Sequence, residues 1–176
     1  MTMATKKVIW VLFGILVISA WVLGSAIQAG AETLKFRVSL TETKILTMPV
    51  NDVEGHILGL QTMEGLAFLE NGEIARVKQY SAFDYIPGKG SQSFGYSLTT
   101  FEDGSTIEGR SQNILVPDQS GTFSYKRTTE AIKGTGRFEG IKGTSSSTRG
   151  KLFERVKGGP LLATTDVTMT YTLPPK

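Results

Sequence analysis

Residues 162–173 read Leu-Ala-Thr-Thr-Asp-Val-Thr-Met-Thr-Tyr-Thr-Leu. Val167, Met169, Tyr171 and Leu173 alternate there with Asp166, Thr168, Thr170 and Thr172. Successive side chains of an extended chain point to opposite faces, so this period of two predicts a strand with one face buried. Leu34, Phe36, Val38 and Leu40 repeat the pattern against Lys35, Arg37, Ser39 and Thr41.

Between these two segments, turn residues punctuate further extended runs. Asn71-Gly72 separates 65–69 from a strand over 74–86, and Asn-Gly between apolar runs is a strong hairpin signal. Pro87-Gly88-Lys89-Gly90 breaks that strand; the next covers 93–101 and turns at Glu102-Asp103-Gly104-Ser105. A strand over 106–116 ends at Pro117-Asp118, and 122–129 continues the meander with residue types that strands favour. The segment 133–143 is rich in glycine and reads as a shaped loop with room for one helical turn. A strand over 147–156, a turn at Lys157-Gly158-Gly159-Pro160 and the strand 162–173 complete the series.

No helical stripe long enough to cover a sheet face is present, and an open sheet would leave one face and two edges unprotected. The expected fold is therefore all-β, an antiparallel barrel of about eight strands, with a two-sheet sandwich as the alternative. Asn71-Gly72 and Asp103-Gly104 are expected at hairpin tips.

The first 31 residues differ in kind. Lys6 and Lys7 precede a stretch from Val8 to Ala31 without any charged residue, ending in Ala29-Gly30-Ala31. A positive start, an apolar core and a small-residue exit describe a secretory signal. The core is long for one, and an apolar stretch of ~18 or more residues can also span a bilayer. The exit favours cleavage after Ala31 and a mature chain beginning at Glu32; the alternative is an anchor through residues 8–28. Both leave the domain outside the cytoplasm, periplasmic or secreted in the first case.

Removing 1–31 from the 176 residues leaves 145, enough for one domain with a core. The chain holds 19 Lys and Arg against 16 Asp and Glu; loss of Lys6 and Lys7 leaves 17 against 16, a net charge of +1. With no basic cluster, nucleic acid is not an expected partner. The absence of cysteine excludes disulfides, thiol catalysis and thiolate metal sites. With a single histidine besides, no metal site and no cofactor are expected.

Gly134-Thr135-Gly136-Arg137-Phe138, followed by Gly140, Lys142 and Gly143, resembles the glycine-rich loop of the allene oxide cyclase and dirigent proteins. The run 65–73, leading to Phe83-Asp84-Tyr85, is similar to the early hairpin of small bacterial relatives of that barrel. The resemblance implies an eight-stranded antiparallel barrel of the lipocalin-like kind, and a dimer or trimer. Plant members steer cyclisation or radical coupling of bound small molecules by the shape of the cavity. No catalytic residue of theirs matches one in this chain, and fold alone does not carry function.

Candidate site residues follow from strand faces. On 74–86 the less charged side carries Val77, Gln79, Ser81, Phe83 and Tyr85; on 106–116 the corresponding side carries Ile107, Gly109, Ser111 and Asn113. Gln79, Ser81, Phe83, Tyr85, Ser111 and Asn113 are the candidate ligand-binding set, with Gly109 and the two serines leaving space for a cavity. Lys78, Glu108 and Arg110 read as a solvated outer face. Tyr96, which shares a face with Phe94 and Leu98, and Tyr125, which shares one with Phe123, read as core aromatics, and the Thr/Ser run 144–148 as a solvated strand start. His56, with Glu54 near it, reads as a turn histidine sooner than a general base, because no nucleophile motif accompanies it. The expected function is binding of a small apolar or amphipathic molecule. Two alternatives stand: a cofactor-independent cyclase- or isomerase-type enzyme, and a packed structural module.

Overall fold

The computed structural model describes residues 30–117, 123–147, 150–153 and 159–175; the expected signal segment lies outside them. The strands are β1 (Glu32–Pro49), β2 (Ile57–Leu69), β3 (Ile74–Ile86), β4 (Gly90–Thr100), β5 (Thr106–Pro117), β6 (Phe123–Thr135), β7 (Lys142–Ser147), β8 (Gly150–Phe153) and β9 (Leu162–Thr172). Each pairs antiparallel with its neighbour from β1 to β7. β7 and β8 pair with successive parts of β9, Ser146 opposite Thr168 and Gly150 opposite Thr165, and so fill one position. β9 also pairs with β1, from Glu32 opposite Tyr171 to Thr41 opposite Leu162. The sheet thereby closes into an eight-stranded antiparallel barrel, and the sandwich is set aside.

Strand limits follow the alternation closely over β3, β5 and β9 and less well in three places. β6, expected over 122–129, runs on to Thr135, into the segment expected as a loop. The 147–156 strand starts five residues earlier, at Lys142, and part of it lies outside the described residues. The second half of β1 and the first half of β2 escaped the sequence reading. A register shift between Glu42 and Lys44 reverses the faces there, so Ile45 continues the inner row and Leu46 and Met48 point outward, both largely exposed. One inserted residue destroys a period-two signal.

Two hairpins at one end are built alike. Leu69 N–H bonds Glu73 C=O and Gly72 N–H bonds Leu69 C=O; Phe101, Gly104 and Ser105 repeat the arrangement. Asn71 and Asp103 accept from the backbone N–H two residues on. Only the glycine of each pair has positive φ, +88° at Gly72 and +81° at Gly104. Nothing lies within 4 Å of a side chain placed at Gly72. Gly72→Val should therefore cost only the left-handed backbone term, about 1–2 kcal/mol, read as a lower urea midpoint with unchanged slope.

The glycine-rich segment closes this same end. Gly136–Phe138 forms a single 3₁₀ turn, the helical turn expected within 133–143. Phe138 and Ile141 are buried among the core, with the Phe138 ring 4.7 Å from Phe101 and 6.0 Å from Tyr171. Arg137 lies over both phenylalanine rings and binds the Glu73 carboxylate at 2.6 Å and Asp103 at 3.5 Å. The loop is thus pinned to both hairpins. Directly above it, Val38, Ala67, Ala75, Val77, Ile107 and Met169 fill the lower barrel. At its start, Tyr171 donates to Glu32 at 2.7 Å, and burial with that carboxylate pushes the phenol up to about 12.

Candidate functional site

The inner faces change character half-way up the barrel. The lower half is packed, with a residual void of about 60 Å³. The upper half holds a cavity of about 620 Å³, large enough for a small molecule. Gln79, Ser81, Phe83, Tyr85, Ser111 and Asn113 all line it. β3 and β5 are not adjacent but both pair with β4. From β4, between them, the small side chains of Ser91 and Ser93 also line it, while Gly95, opposite both Ser81 and Ser111, lets the strands approach closely: a Cβ there would stand 2.1 Å from Tyr80 O.

Several groups in the cavity are joined. Asn113 donates to Ser93 Oγ at 2.9 Å, and the Tyr125 hydroxyl donates to Asn113 Oδ1 at 3.2 Å. Arg127 lines the cavity floor, donating through Nη2 to Ser111 Oγ at 3.3 Å and through Nε to Thr129 Oγ1 at 3.2 Å. Ser111 reaches Gly95 C=O at 3.5 Å. The far end of the Phe83 ring reaches Gly59, where any Cβ would approach Cζ to 2.2 Å; glycine there lets the aromatic ring sit against the β2 backbone.

The expectation that Gly109 opens the cavity is corrected. A Cβ at Gly109 would stand 2.6 Å from Thr129 Cγ2 and 2.9 Å from Ser97 Oγ. Neighbouring side chains have taken the space, and the cavity begins one layer higher, at Ser111.

Phe94, Tyr96 and Leu98 are not core residues: they are 64%, 53% and 38% exposed on the outer face of β4. Ser91, Ser93, Gly95 and Ser97 turn inward instead. The alternation was legible, but apolarity pointed to the wrong face because the inward residues of β4 are serines and a glycine and its outward ones are large and apolar. Tyr125 does face inward; the side chain of Phe123 lies outside the described residues. Of the run 144–148, Thr144 and Ser146 are exposed as expected and Thr148 lies outside the described residues, but the inward pair is a correction. Ser145 and Ser147 are buried, and Ser147 Oγ bonds Thr165 Oγ1.

Lys78, Arg110 and Glu108 form cross-strand ion pairs on the outside, with Glu64 at 2.8 Å, Glu130 at 2.7 Å and Lys133 at 3.7 Å. Such exposed pairs contribute little.

His56 is buried at the upper rim with both ring nitrogens engaged. Nδ1 meets Asp52 at 2.5 Å and Nε2 meets Asp84 at 2.9 Å. A carboxylate on each nitrogen requires both to donate, which is the imidazolium. The hydrogen bond with Asp52 raises the imidazole above its usual value, Asp84 adding to it against burial, and the same bond holds Asp52 below the usual carboxylate range. With neither nitrogen free to accept, this is a clamp between the β1–β2 turn and β3. Its histidine contribution is fully present below the unfolded value of about 6.5 and is lost as pH rises through the raised folded value. The Asp52 contribution is present above about 4 and fades as pH falls through its depressed value. The melting temperature should fall as pH rises above about 6.5, and His56→Gln should flatten that dependence. An unchanged alkaline slope in the variant would remove His56 as its source.

No family model matches the sequence, and no curated protein does. Among solved structures, the chain is similar to the pterocarpan synthase dirigent protein GePTS1, with a TM-score of 0.48 and 11% sequence identity over 85% of this chain and 96% of that one. It is also similar to the pterocarpan synthase dirigent protein PsPTS1, with a TM-score of 0.45 and 12% identity over 82% of this chain and 97% of that one.

Proposed function

We propose that the barrel holds a small amphipathic molecule in its upper cavity and orients it through the polar groups of the wall. The observation that carries this reading is the cavity itself: about 620 Å³ above a packed lower half. A purely structural module would have no use for such a space.

Between carriage and conversion, the convergence of Ser93, Asn113, Tyr125, Ser111 and Arg127 supports conversion. A carrier needs little more than an apolar lining, whereas several linked donors and acceptors can fix one conformer of a flexible ligand. A cofactor-independent cyclase- or isomerase-type reaction, selected by cavity shape and these groups, is the function that fits best. The protein would act outside the cytoplasm, and removal of residues 1–31 would leave every barrel strand whole, since β1 begins at Glu32.

Native mass spectrometry of the protein purified from its own host tests the reading. A co-purifying small molecule, lost on denaturation, is the expected result. A bare chain from fresh cells that also takes up no amphipathic probe would overturn it.

A further inference from the structure

We infer that the ligand carries a carboxylate and binds head-down, with that group on Arg127 at the cavity floor. The inference rests on the reading of the cavity as a ligand site and names the chemistry of its occupant.

Arg127 stands on β6 between Asn113 of β5 and Ser147 of β7, and it lines both the small lower void and the upper cavity. It is a permanent cation placed inside a barrel, and among the described residues no carboxylate pairs with it. Among the described residues, the one acidic side chain lining the upper cavity is Glu42, which accepts from Gln61 at 2.7 Å. Every other arginine for which an ion pair is described sits on the exterior with its own carboxylate: Arg37 with Asp166, Arg110 with Glu130, Arg137 with Glu73.

The guanidinium has five N–H groups in a fixed fork. Nε and one N–H of Nη2 are used on Thr129 and Ser111, and both acceptors are neutral hydroxyls. The edge made by Nη1 and the second N–H of Nη2 has no partner among the described residues. Two parallel donors at that spacing match the two oxygens of a carboxylate. The two hydroxyls hold the plane of the group, so little order is lost when a ligand engages the free edge. Above the floor, Ile45, Ile57, Phe83, Leu115 and Leu161 supply apolar wall for the body of the molecule.

Calorimetric titration of the chain as its host produces it, with decanoate and with decanol, tests the inference. The two probes share a chain and differ in the head group. Decanoate should bind at least roughly tenfold more tightly, the effect of a charge-assisted hydrogen-bonded pair. Arg127→Met should bring decanoate down to the level of decanol while leaving decanol unchanged, and Arg127→Lys should keep part of the preference. Equal binding of both probes by the native protein would overturn the carboxylate assignment and leave the cavity reading intact. Binding of neither would overturn both. A preference that survives in Arg127→Met, with the fold confirmed by circular dichroism, would place the head group elsewhere.

Discussion

Replacing Phe138 by alanine should destabilise the domain by about 3–5 kcal/mol, the cost of removing a buried aromatic ring from a site that cannot collapse. The ring is 3% exposed and sits where the glycine-rich segment folds over the end of the barrel. Phe101 and Tyr171 flank it, and the Arg137 guanidinium lies 5.0 Å from its centre. The surrounding backbone is held by the Glu73 and Asp103 contacts of Arg137 and by the Arg137 N–H bond to Ser105 Oγ at 3.1 Å. A void there would stay open. Urea unfolding monitored by circular dichroism measures the loss. Ile132→Ala, on an exposed position of the same strand as Thr135, should stay within about 0.5 kcal/mol. A loss below about 1 kcal/mol for Phe138→Ala would mean that the loop is an ornament on a barrel stable without it.

The second large effect is expected at Ser111. This residue is 3% exposed and stands between the Gly95 carbonyl and the Arg127 side chain at the level where the cavity begins. Phenylalanine there would fill the floor of the cavity and displace Arg127 from its hydroxyl. Uptake of a neutral aromatic fluorophore such as aminoanthracene should fall by more than tenfold, the equivalent of about 1.4 kcal/mol or more. The lower core, from Val77 to Met169, is a layer away, so the melting transition should remain cooperative. Undiminished fluorescence enhancement in a folded Ser111→Phe variant would place the probe outside the barrel and remove the cavity from consideration.

Much of this architecture was legible because a strand with one buried face writes itself into the sequence at period two. The termini of β3, β5 and β9 fall within a residue or so of the alternating runs. The same alternation placed Gln79, Ser81, Phe83, Tyr85, Ser111 and Asn113 on one lining. Two physical circumstances hid the rest. At Thr43 an extra residue shifts the register, so the row from Leu40 to Ile45 no longer looks like a row. On β4 the serines face inward and the aromatics outward, the reverse of what hydrophobicity alone suggests. Arg127 was passed over for a related reason. In Tyr125-Lys126-Arg127 the alternation puts it on the face of Tyr125 and Lys126 on the other, but a cation on a strand is read as solvated, and the expected strand faces were weighed on 74–86 and 106–116 alone. Its place opposite Asn113 and Ser147 shows that it is enclosed.

The pairing of β1 with β9 has a consequence for how the molecule comes into being. Glu32 through Thr41 find their partners in Leu162–Tyr171, more than a hundred residues later along the chain. While the polypeptide is being made, the opening strand must wait, one edge bare, until the last strand has been synthesised. Contacts so distant in sequence make for slow folding. The ring of strands can therefore shut only after the final strand has been made, and until then the edge of β1 has no partner on that side.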